Sequence, residues 1–516
     1  GTGTSIGDPI EAAAINNIIT KNKRGKLHIG SVKSNIGHLE SASALASLIK
    51  VCLMLHKNIL LPSINFKVPN PKINWDKLHV QTKTENLKGK YIGINSFGFG
   101  GSNVHIVMEK YNKIPCKNKQ ENKHYYPIII GANSENSLED QVKQWNKFIS
   151  QNNYNLQQVS FTTLAHSRDM KLFKYVITNS LTKKLSFNKK KYTKIKKIAY
   201  IFSGQGQQYA KMGQVFYRRY PIFKGVVDKC EAIYRNVSGI SLKDSIGLFD
   251  DVTKEVYKVE YTLPAILIFQ IATVRLLESF GISPDIVVGH SFGELAMLHI
   301  SGMISLEDVL KVTYYRAILM KKYDNLGEMV AISDCNSNEL ENLLLDYKDI
   351  WIASYNSNKS FAVGGKHSSI NLILARCKKE GLFCKKIRVT NAFHTPLMDI
   401  MKLQFINYIK SINISKKKRD INVYSTVIGE KIENITAEYL WENIRRPVLF
   451  SKTIDTINND FKDILFIEIS SHPVLQSYVN NDGGIILSIN HLKKNNDAMF
   501  MNTIANISMC NIKIKL

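Results

Sequence analysis

A serine at the tip of a tight turn can act as a nucleophile, and Asp285-Ile286-Val287-Val288-Gly289-His290-Ser291-Phe292-Gly293-Glu294 has the residue types that such a turn needs. The apolar, β-branched run before Gly289 predicts a buried strand. The run Glu294-Leu295-Ala296-Met297-Leu298 predicts a helix with a carboxylate in its first turn, where the helix dipole favours it. Glycines on both sides of Ser291 permit a sharp strand-to-helix turn, exposing the hydroxyl beside backbone N–H groups that can stabilise an oxyanion. A lone Gly-x-Ser-x-Gly is a weak signal, but strand, turn and helix together mark a nucleophile elbow. The hydroxyl needs a base. In Asn391-Ala392-Phe393-His394-Thr395-Pro396-Leu397-Met398-Asp399 the candidate is His394, because a nucleophile and its base meet in the fold and need not be near in sequence. Taken alone, a single histidine is more often a surface or satisfied core residue.

The elements that must position these groups separate by texture. Residues 1–110 hold three glycine-rich pieces, an apolar helical stretch at 42–55 and a proline-punctuated extended segment at 61–71. A polar, basic edge follows at 110–125. Residues 127–130 read as a strand, residues 137–149 and 156–164 as helices, and the basic stretch 183–197 closes this block. From Ile198 the pattern is α/β, with a buried strand ending in Ser203-Gly204-Gln205-Gly206-Gln207. Between about 328 and 389, strands and helices alternate as in a small inserted α+β unit.

At 516 residues the chain is too long for one core, and length alone suggests about three domains. Hydrophobic content of 44% and charged content of 22% are those of ordinary globular proteins. No uninterrupted apolar run is long enough to cross a bilayer, so no membrane association is expected. The start Gly1-Thr2-Gly3-Thr4 lacks an initiator methionine and suggests a piece of something longer. Cys52, Cys116, Cys230, Cys335, Cys377, Cys384 and Cys510 are scattered without metal-ligand spacing, which points to a reducing, cytoplasmic setting and no metal. The net charge of +26 is spread with abundant lysine, asparagine and isoleucine, and the runs Lys189-Lys190-Lys191 and Lys416-Lys417-Lys418-Arg419 read as loops. That argues against nucleic acid and for a basic surface facing an acidic protein partner.

Residues 198–480 resemble the malonyl-CoA:acyl-carrier-protein transacylases, above all the acyltransferase domains of type I polyketide synthases. The resemblance rests on seven pieces in one order: Phe202-Ser203-Gly204-Gln205-Gly206, Gly289-His290-Ser291-Phe292-Gly293-Glu294, Arg316-Ala317-Ile318-Leu319-Met320, Tyr355-Asn356-Ser357, Ala392-Phe393-His394-Thr395-Pro396-Leu397-Met398, Trp441-Glu442-Asn443-Ile444-Arg445 with Pro447-Val448, and Ile467-Glu468-Ile469 leading to His472-Pro473-Val474-Leu475. It implies an α/β-hydrolase-like acyltransferase core over 196–480, with a ferredoxin-like subdomain inserted at about 328–389. Ser291 would carry the acyl group and His394 would act as base, then acid. The backbone N–H groups of Gln205 and Phe292 would form the oxyanion hole, while Arg316 would hold the free carboxylate of the substrate. His290 and Asn356 would line the substrate site. This family orients its histidine with a backbone carbonyl, so no aspartate is nominated and Asp399 is given a structural role. An aromatic before the histidine goes with malonyl in this family, which makes Phe393 a malonyl selector. Asn391, Phe292 and Leu263 depart from the residues frequent at their positions.

Residues 1–110 resemble the carboxy-terminal part of a β-ketoacyl synthase, truncated here, of thiolase-like fold. Lys33-Ser34-Asn35-Ile36-Gly37-His38-Leu39-Glu40 matches the segment of its second catalytic histidine, and residues 96–105 match its glycine-rich active-site loop. His38 would assist decarboxylation of the extender unit and Lys33 would support it. No cysteine sits in the context of that family's nucleophile, so this part is expected to be inactive alone. Residues 111–195 are similar to the α+β linker between synthase and acyltransferase, and 481–516 to the segment that runs back over it. The resemblance as a whole implies a multidomain α/β protein without a tightly bound cofactor. Its substrates would be malonyl-CoA and the phosphopantetheine thiol of an acyl carrier protein, and its partners the rest of the ketosynthase and synthase modules. An editing acyl hydrolase, a non-catalytic scaffold and a domain of a fatty-acid synthase remain alternatives.

Overall fold

The computed structural model describes the chain except for residues 23–24, 99, 112–123, 152–153, 168, 182–184, 252, 388, 390, 413, 415–418, 480–484 and 516. Cys116, Phe99, most of the basic linker edge and the lysine run at 416–418 therefore lie outside the described residues. The chain forms two units, Gly1–Asn118 and Lys119–Leu516.

In the first unit the apolar stretch forms the helix Ser43–Lys57, and the glycine-rich segment near residue 100 joins the antiparallel hairpin Tyr91–Phe97 and Asn103–Glu109. Val51 and Leu55 of the helix pack on Leu87 and Ile94, a small cluster. Leu45, Ile49 and Leu53, four residues apart on another face of the helix, stay 62%, 60% and 52% exposed.

The second unit opens with a three-stranded antiparallel sheet of Tyr126–Ala132, Leu172–Thr178 and Asn188–Lys191, with the helices Glu135–Gln151 and Leu156–His166. The run Lys189-Lys190-Lys191 is thus an edge strand and not the loop its composition suggested; the Lys190 amine reaches the Asn506 side chain. Lysine suits an edge because its charge discourages further strand pairing while its stem covers apolar surface.

The main sheet has six strands in the order Glu430–Lys431, Asn422–Ser425, Ile286–Gly289, Lys197–Phe202, Ile464–Ile469 and Ile485–Ser488, parallel except for the first. Alternate residues face opposite layers, as the pleat requires. Tyr200, Phe202 and Val287 join the large core under the helices Pro221–Ser238, Val259–Ser279 and Leu306–Lys322, while Ala199, Ile201, Ile286 and Val288 pack on Phe450–Asp460. Both faces are covered, which is why these strands read as continuous apolar runs. The helix Val259–Ser279 is long and apolar enough to cross a membrane, yet most of it is buried in this core, which accounts for its composition. Ile485–Ser488, which the sequence reading placed in the following segment, completes the same sheet.

Between the second and third parallel strands in sequence lies a β-α-β-β-α-β unit from Glu328 to Lys386. Its antiparallel sheet runs Ile350–Ser357, Ser360–Gly365, Glu328–Ser333, Phe383–Lys386, the ferredoxin-like order. Tyr355 N and Ala353 O bond the Val448 peptide at 2.9 Å each and tie the insert to the core.

The tail helix Asn496–Ser508 returns to the linker sheet, and its buried Asp497 accepts from Tyr125 N (2.8 Å) and pairs with Arg219, itself 8% exposed. Asp497→Ala leaves a buried guanidinium unpaired. We expect a loss of about 3–5 kcal/mol, read from the midpoint of chemical denaturation.

Candidate active site

The parallel strands end together, and the site lies at their carboxyl ends, where open α/β sheets place ligands. Ile286–Gly289 turns at Ser291 into the helix Gly293–Ile300. The turn is tight enough that a Cβ on Gly293 would collide with the Phe202 carbonyl, and one on Gly289 with the Glu294 amide. Ser291 itself sits at φ 54°, in the left-handed region that side chains other than glycine pay to enter.

Ser291 Oγ lies 2.7 Å from His394 Nε2. His394 Nδ1 is 2.9 Å from the Arg446 carbonyl, which can only accept, so Nδ1 carries the hydrogen and Nε2 is free to accept from the serine. His394 is also at positive φ, 62°, with its backbone N–H donating to Ile444 O at 3.1 Å. Burial pushes its pKa down to about 3, helped by the nearby Arg316 charge. Asp399 takes no part; it pairs with Arg445 at 2.9 Å.

Arg316 comes from the buried face of Leu306–Lys322. Its guanidinium lies over the Phe292 ring at 5.4 Å, and Nη1 donates to Asn443 Oδ1 at 2.8 Å. Its Nε is buried with no partner. Burial lowers the pKa to about 9 against the opposing pull of Glu294, so the group is a cation at neutral pH. Phe292, bulkier than its position usually carries, thus forms the floor beneath the guanidinium.

The loop after Lys197–Phe202 is fastened from several sides. Ser203 Oγ donates to Glu468 at 2.6 Å, Gln270 Nε2 to Ser203 O at 2.7 Å, and Gln207 Nε2 to Ser203 O at 2.8 Å. A Cβ on Gly204 would stand 3.4 Å from Ser291 Cβ and 3.6 Å from Phe292 N, so the Gln205 backbone adjoins the elbow. A cleft of about 400 Å³ is lined by Gln205, Thr262, Val389 and Phe393, with Lys258 and Lys321 also on its wall.

His290 and Asn356 meet, but they meet each other. His290 Nε2 is 2.9 Å from Asn356 Oδ1, which also accepts from Ser354 Oγ at 2.5 Å. They join the elbow to the inserted sheet. The departure at Asn391 has a structural account: fully buried, it accepts from Leu326 N at 2.8 Å and donates to Met320 O at 3.3 Å, anchoring the loop that carries Phe393. In the first unit, His38 Nδ1 accepts from Glu40 N at 3.0 Å and lies 3.1 Å from Ser43 Oγ. Among the described residues no hydrogen bond or ion pair joins Lys33 to His38, and no cluster of His, Cys, Asp and Glu could hold a metal ion.

Two residues central to this geometry escaped nomination. Glu294, read only as a helix-dipole partner, is fully buried, and Asn443 bridges it to Arg316. A buried Glu inside a helix-start motif, and an Asn in a segment rich in charged residues, carry no sequence signal of such contacts.

Residues 199–505 match the family model "Acyl transferase domain", residues 1–67 "Beta-ketoacyl synthase, C-terminal domain", and residues 69–177 "Ketoacyl-synthetase C-terminal extension". Among curated proteins the chain is 34% identical over 519 residues to "Probable polyketide synthase 23" of Dictyostelium discoideum, covering 93% of this chain. It is 31% identical to "Probable polyketide synthase 7" of the same organism, covering 98%. The chain spans about a fifth of the length of these relatives, 20% and 22%. The acyltransferase domain from module 8 of the salinomycin polyketide synthase has the same fold, with a TM-score of 0.69 at 20% identity over 76% of this chain and 97% of that one. So does the acyl transferase domain of SpnD in complex with 2-(pent-4-yn-1-yl)malonyl, with a TM-score of 0.68 at 18% identity over the same shares.

Because the native environment holds His394 neutral down to about pH 3, its imidazole is expected not to titrate between pH 5 and 8 and to show the Nδ1–H tautomer by nitrogen NMR. Unfolding restores an ordinary pKa near 6.5, so the unfolded chain binds the extra proton. The contribution of His394 to stability is therefore complete above that pH and is lost as pH falls toward 3.

Proposed function

This chain belongs to the acyl transferase domain family of polyketide synthases, and from that premise we propose that it moves a malonyl group from CoA, through an ester on Ser291, to the phosphopantetheine thiol of an acyl carrier protein. The observation that carries the choice of substrate is Arg316, a buried cation with one side-chain partner and an orphaned Nε. A substrate carboxylate supplies the missing acceptor and charge, whereas a simple acyl chain leaves both unmet on a buried group. The SpnD relative was solved with a substituted malonyl group, which supports a carboxylate-bearing acyl unit.

In the first half-reaction His394 Nε2 takes the Ser291 proton as Oγ attacks the thioester carbonyl. The negative oxygen of the tetrahedral intermediate is stabilised by the backbone N–H groups of Gln205 and Phe292. The C–S bond breaks and the imidazolium returns its proton to the leaving CoA thiolate. In the second half-reaction the acceptor thiol gives its proton to His394, its sulfur attacks the ester, and the C–O bond breaks as Ser291 regains a proton. The Arg446 carbonyl steadies the imidazolium in both halves. Phe393 narrows the cleft and disfavours a branched extender by about 1–3 kcal/mol. In the first unit, His38 and Lys33 are assigned to a ketosynthase site completed by other parts of the synthase. The basic surface is assigned to docking the acidic carrier protein, so transfer should slow as salt is raised.

The test is mass spectrometry of the protein after incubation with labelled malonyl-CoA, methylmalonyl-CoA and acetyl-CoA. A malonyl adduct on Ser291, absent from Ser291→Ala, is expected; no adduct from any donor defeats the enzyme reading. Arg316→Ala should cut malonyl loading by about 100-fold or more while sparing acetyl. Phe393→Ser should raise methylmalonyl relative to malonyl by roughly 10-fold or more.

A further inference from the structure

Asn443 stands where three parts of the site meet. It lies on Ala437–Arg445, is 2% exposed, and comes from a segment that also offers Ile444 O and Arg446 O to His394. Its Nδ2 donates to the Ser291 carbonyl and to Glu294 Oε2, each at 3.0 Å. Both of those partners are acceptors, so only the NH2 end of the amide can face them, and Oδ1 is left to receive Arg316 Nη1 at 2.8 Å. Glu294 thereby dictates which way the amide points.

We propose that Asn443 is a positioning residue for substrate choice: it ties the guanidinium of Arg316 to the backbone of Ser291, so selectivity for a carboxylate-bearing acyl group depends on an amide that does not touch that group. The inference rests on the reading of Arg316 as the carboxylate's partner. With Nη1 held by Asn443 and the guanidinium seated on the Phe292 ring, the orphaned Nε edge is the one presented for bidentate capture. Because the same amide holds the Ser291 carbonyl, a shift of the guanidinium is a shift of the nucleophile's backbone, and small misplacements there are costly.

Asn443→Asp is the sharp test because it is isosteric. It removes both donors, sets a carboxylate against the Ser291 carbonyl and Glu294, and hands Arg316 an internal counter-ion that competes with the substrate. In the 516-residue chain, acylation of Ser291 is timed with malonyl-CoA and acetyl-CoA, alongside thermal unfolding. We expect the malonyl-to-acetyl ratio of kcat/KM to fall at least about 10-fold in Asn443→Asp, beyond any common loss in both rates. Asn443→Ala, which only truncates the side chain and leaves Nη1 without its acceptor, carries the same comparison if the Asp variant does not fold. Asn443→Gln, which keeps both ends of the amide, should restore part of the ratio. Equal falls for the two donors in both Asp and Ala variants, with Arg316→Ala still collapsing the ratio, would make Asn443 merely structural and overturn the inference alone. An unchanged ratio in Arg316→Ala would instead bring down the reading of Arg316 on which it stands.

Discussion

A carboxylate removed from water, that of Glu294, sets the terms at the carboxyl end of the sheet. It is fully buried, and burial raises its pKa, opposed by the hydrogen bonds around it. It accepts from Thr426 N at 2.6 Å, Thr426 Oγ1 at 2.9 Å, Tyr439 Oη at 2.7 Å and Asn443 Nδ2 at 3.0 Å. A buried carboxylate is tolerable only when such a set is complete, and losing one donor strands the whole group. These donors, with Ser425 Oγ at 3.2 Å beside them, come from the end of Asn422–Ser425 and from Ala437–Arg445, while Glu294 opens the helix after Ser291. Satisfying one side chain therefore registers three elements at once. His394 and Arg316 inherit their positions from that registration, the first through two carbonyls at the end of Ala437–Arg445 and the second through Asn443.

The cost of this arrangement appears in the backbone. Ser291 and His394 both occupy the left-handed region, an expense of roughly 1–3 kcal/mol each that persists only where surroundings over-determine it. At Ser291 the surroundings are the two glycines, which let the helix start pass under the Phe202 carbonyl, and the Asn443 amide on the serine's own carbonyl. At His394 they are the bonds to Ile444 O and Arg446 O. The two strained residues are the pair whose side chains meet, with Oγ and Nε2 2.7 Å apart.

What could be read from the sequence follows from where the physics leaves a chemical mark. The elbow was legible because a sharp turn over a buried strand demands glycine at 289 and 293 and a β-branched run before them. The alternating pattern showed three strands and two helices of the insert but not its last strand, Phe383–Lys386, whose short run Phe383-Cys384-Lys385-Lys386 is half polar. The partner that orients His394 could not be named, since Arg446 supplies only a carbonyl, a group every residue has. Asn443 and Tyr439 were hidden for a related reason: they lie on a helix about 150 residues after Glu294, and local periodicity says nothing of contacts at that distance. Three consecutive lysines have the composition of a solvated loop, yet residues 189–191 form an edge strand, with the Lys190 amine reaching the tail helix at Asn506. The resemblance assigns Ile485–Ser488 to the segment that follows the acyltransferase, and only its pairing with Leu465–Glu468 assigns it to the sheet.

The proposed selectivity is better understood as the avoidance of a penalty than as an attraction. A buried guanidinium with an unmet Nε pays a desolvation cost, and an acyl group without a carboxylate leaves that cost in place. A carboxylate relieves it, yet relief that is the same before and during the attack on the thioester strengthens binding without speeding chemistry. For recognition to reach the reacting atoms, the arginine must be mechanically continuous with the nucleophile. In this fold the only described side chain bonded to both Arg316 and the Ser291 backbone is Asn443, and its orientation is imposed by the buried charge of Glu294. The carboxylate that holds the scaffold in register is thus also the one through which the proposed carboxylate partner, Arg316, and the backbone of Ser291 share a single set of hydrogen bonds.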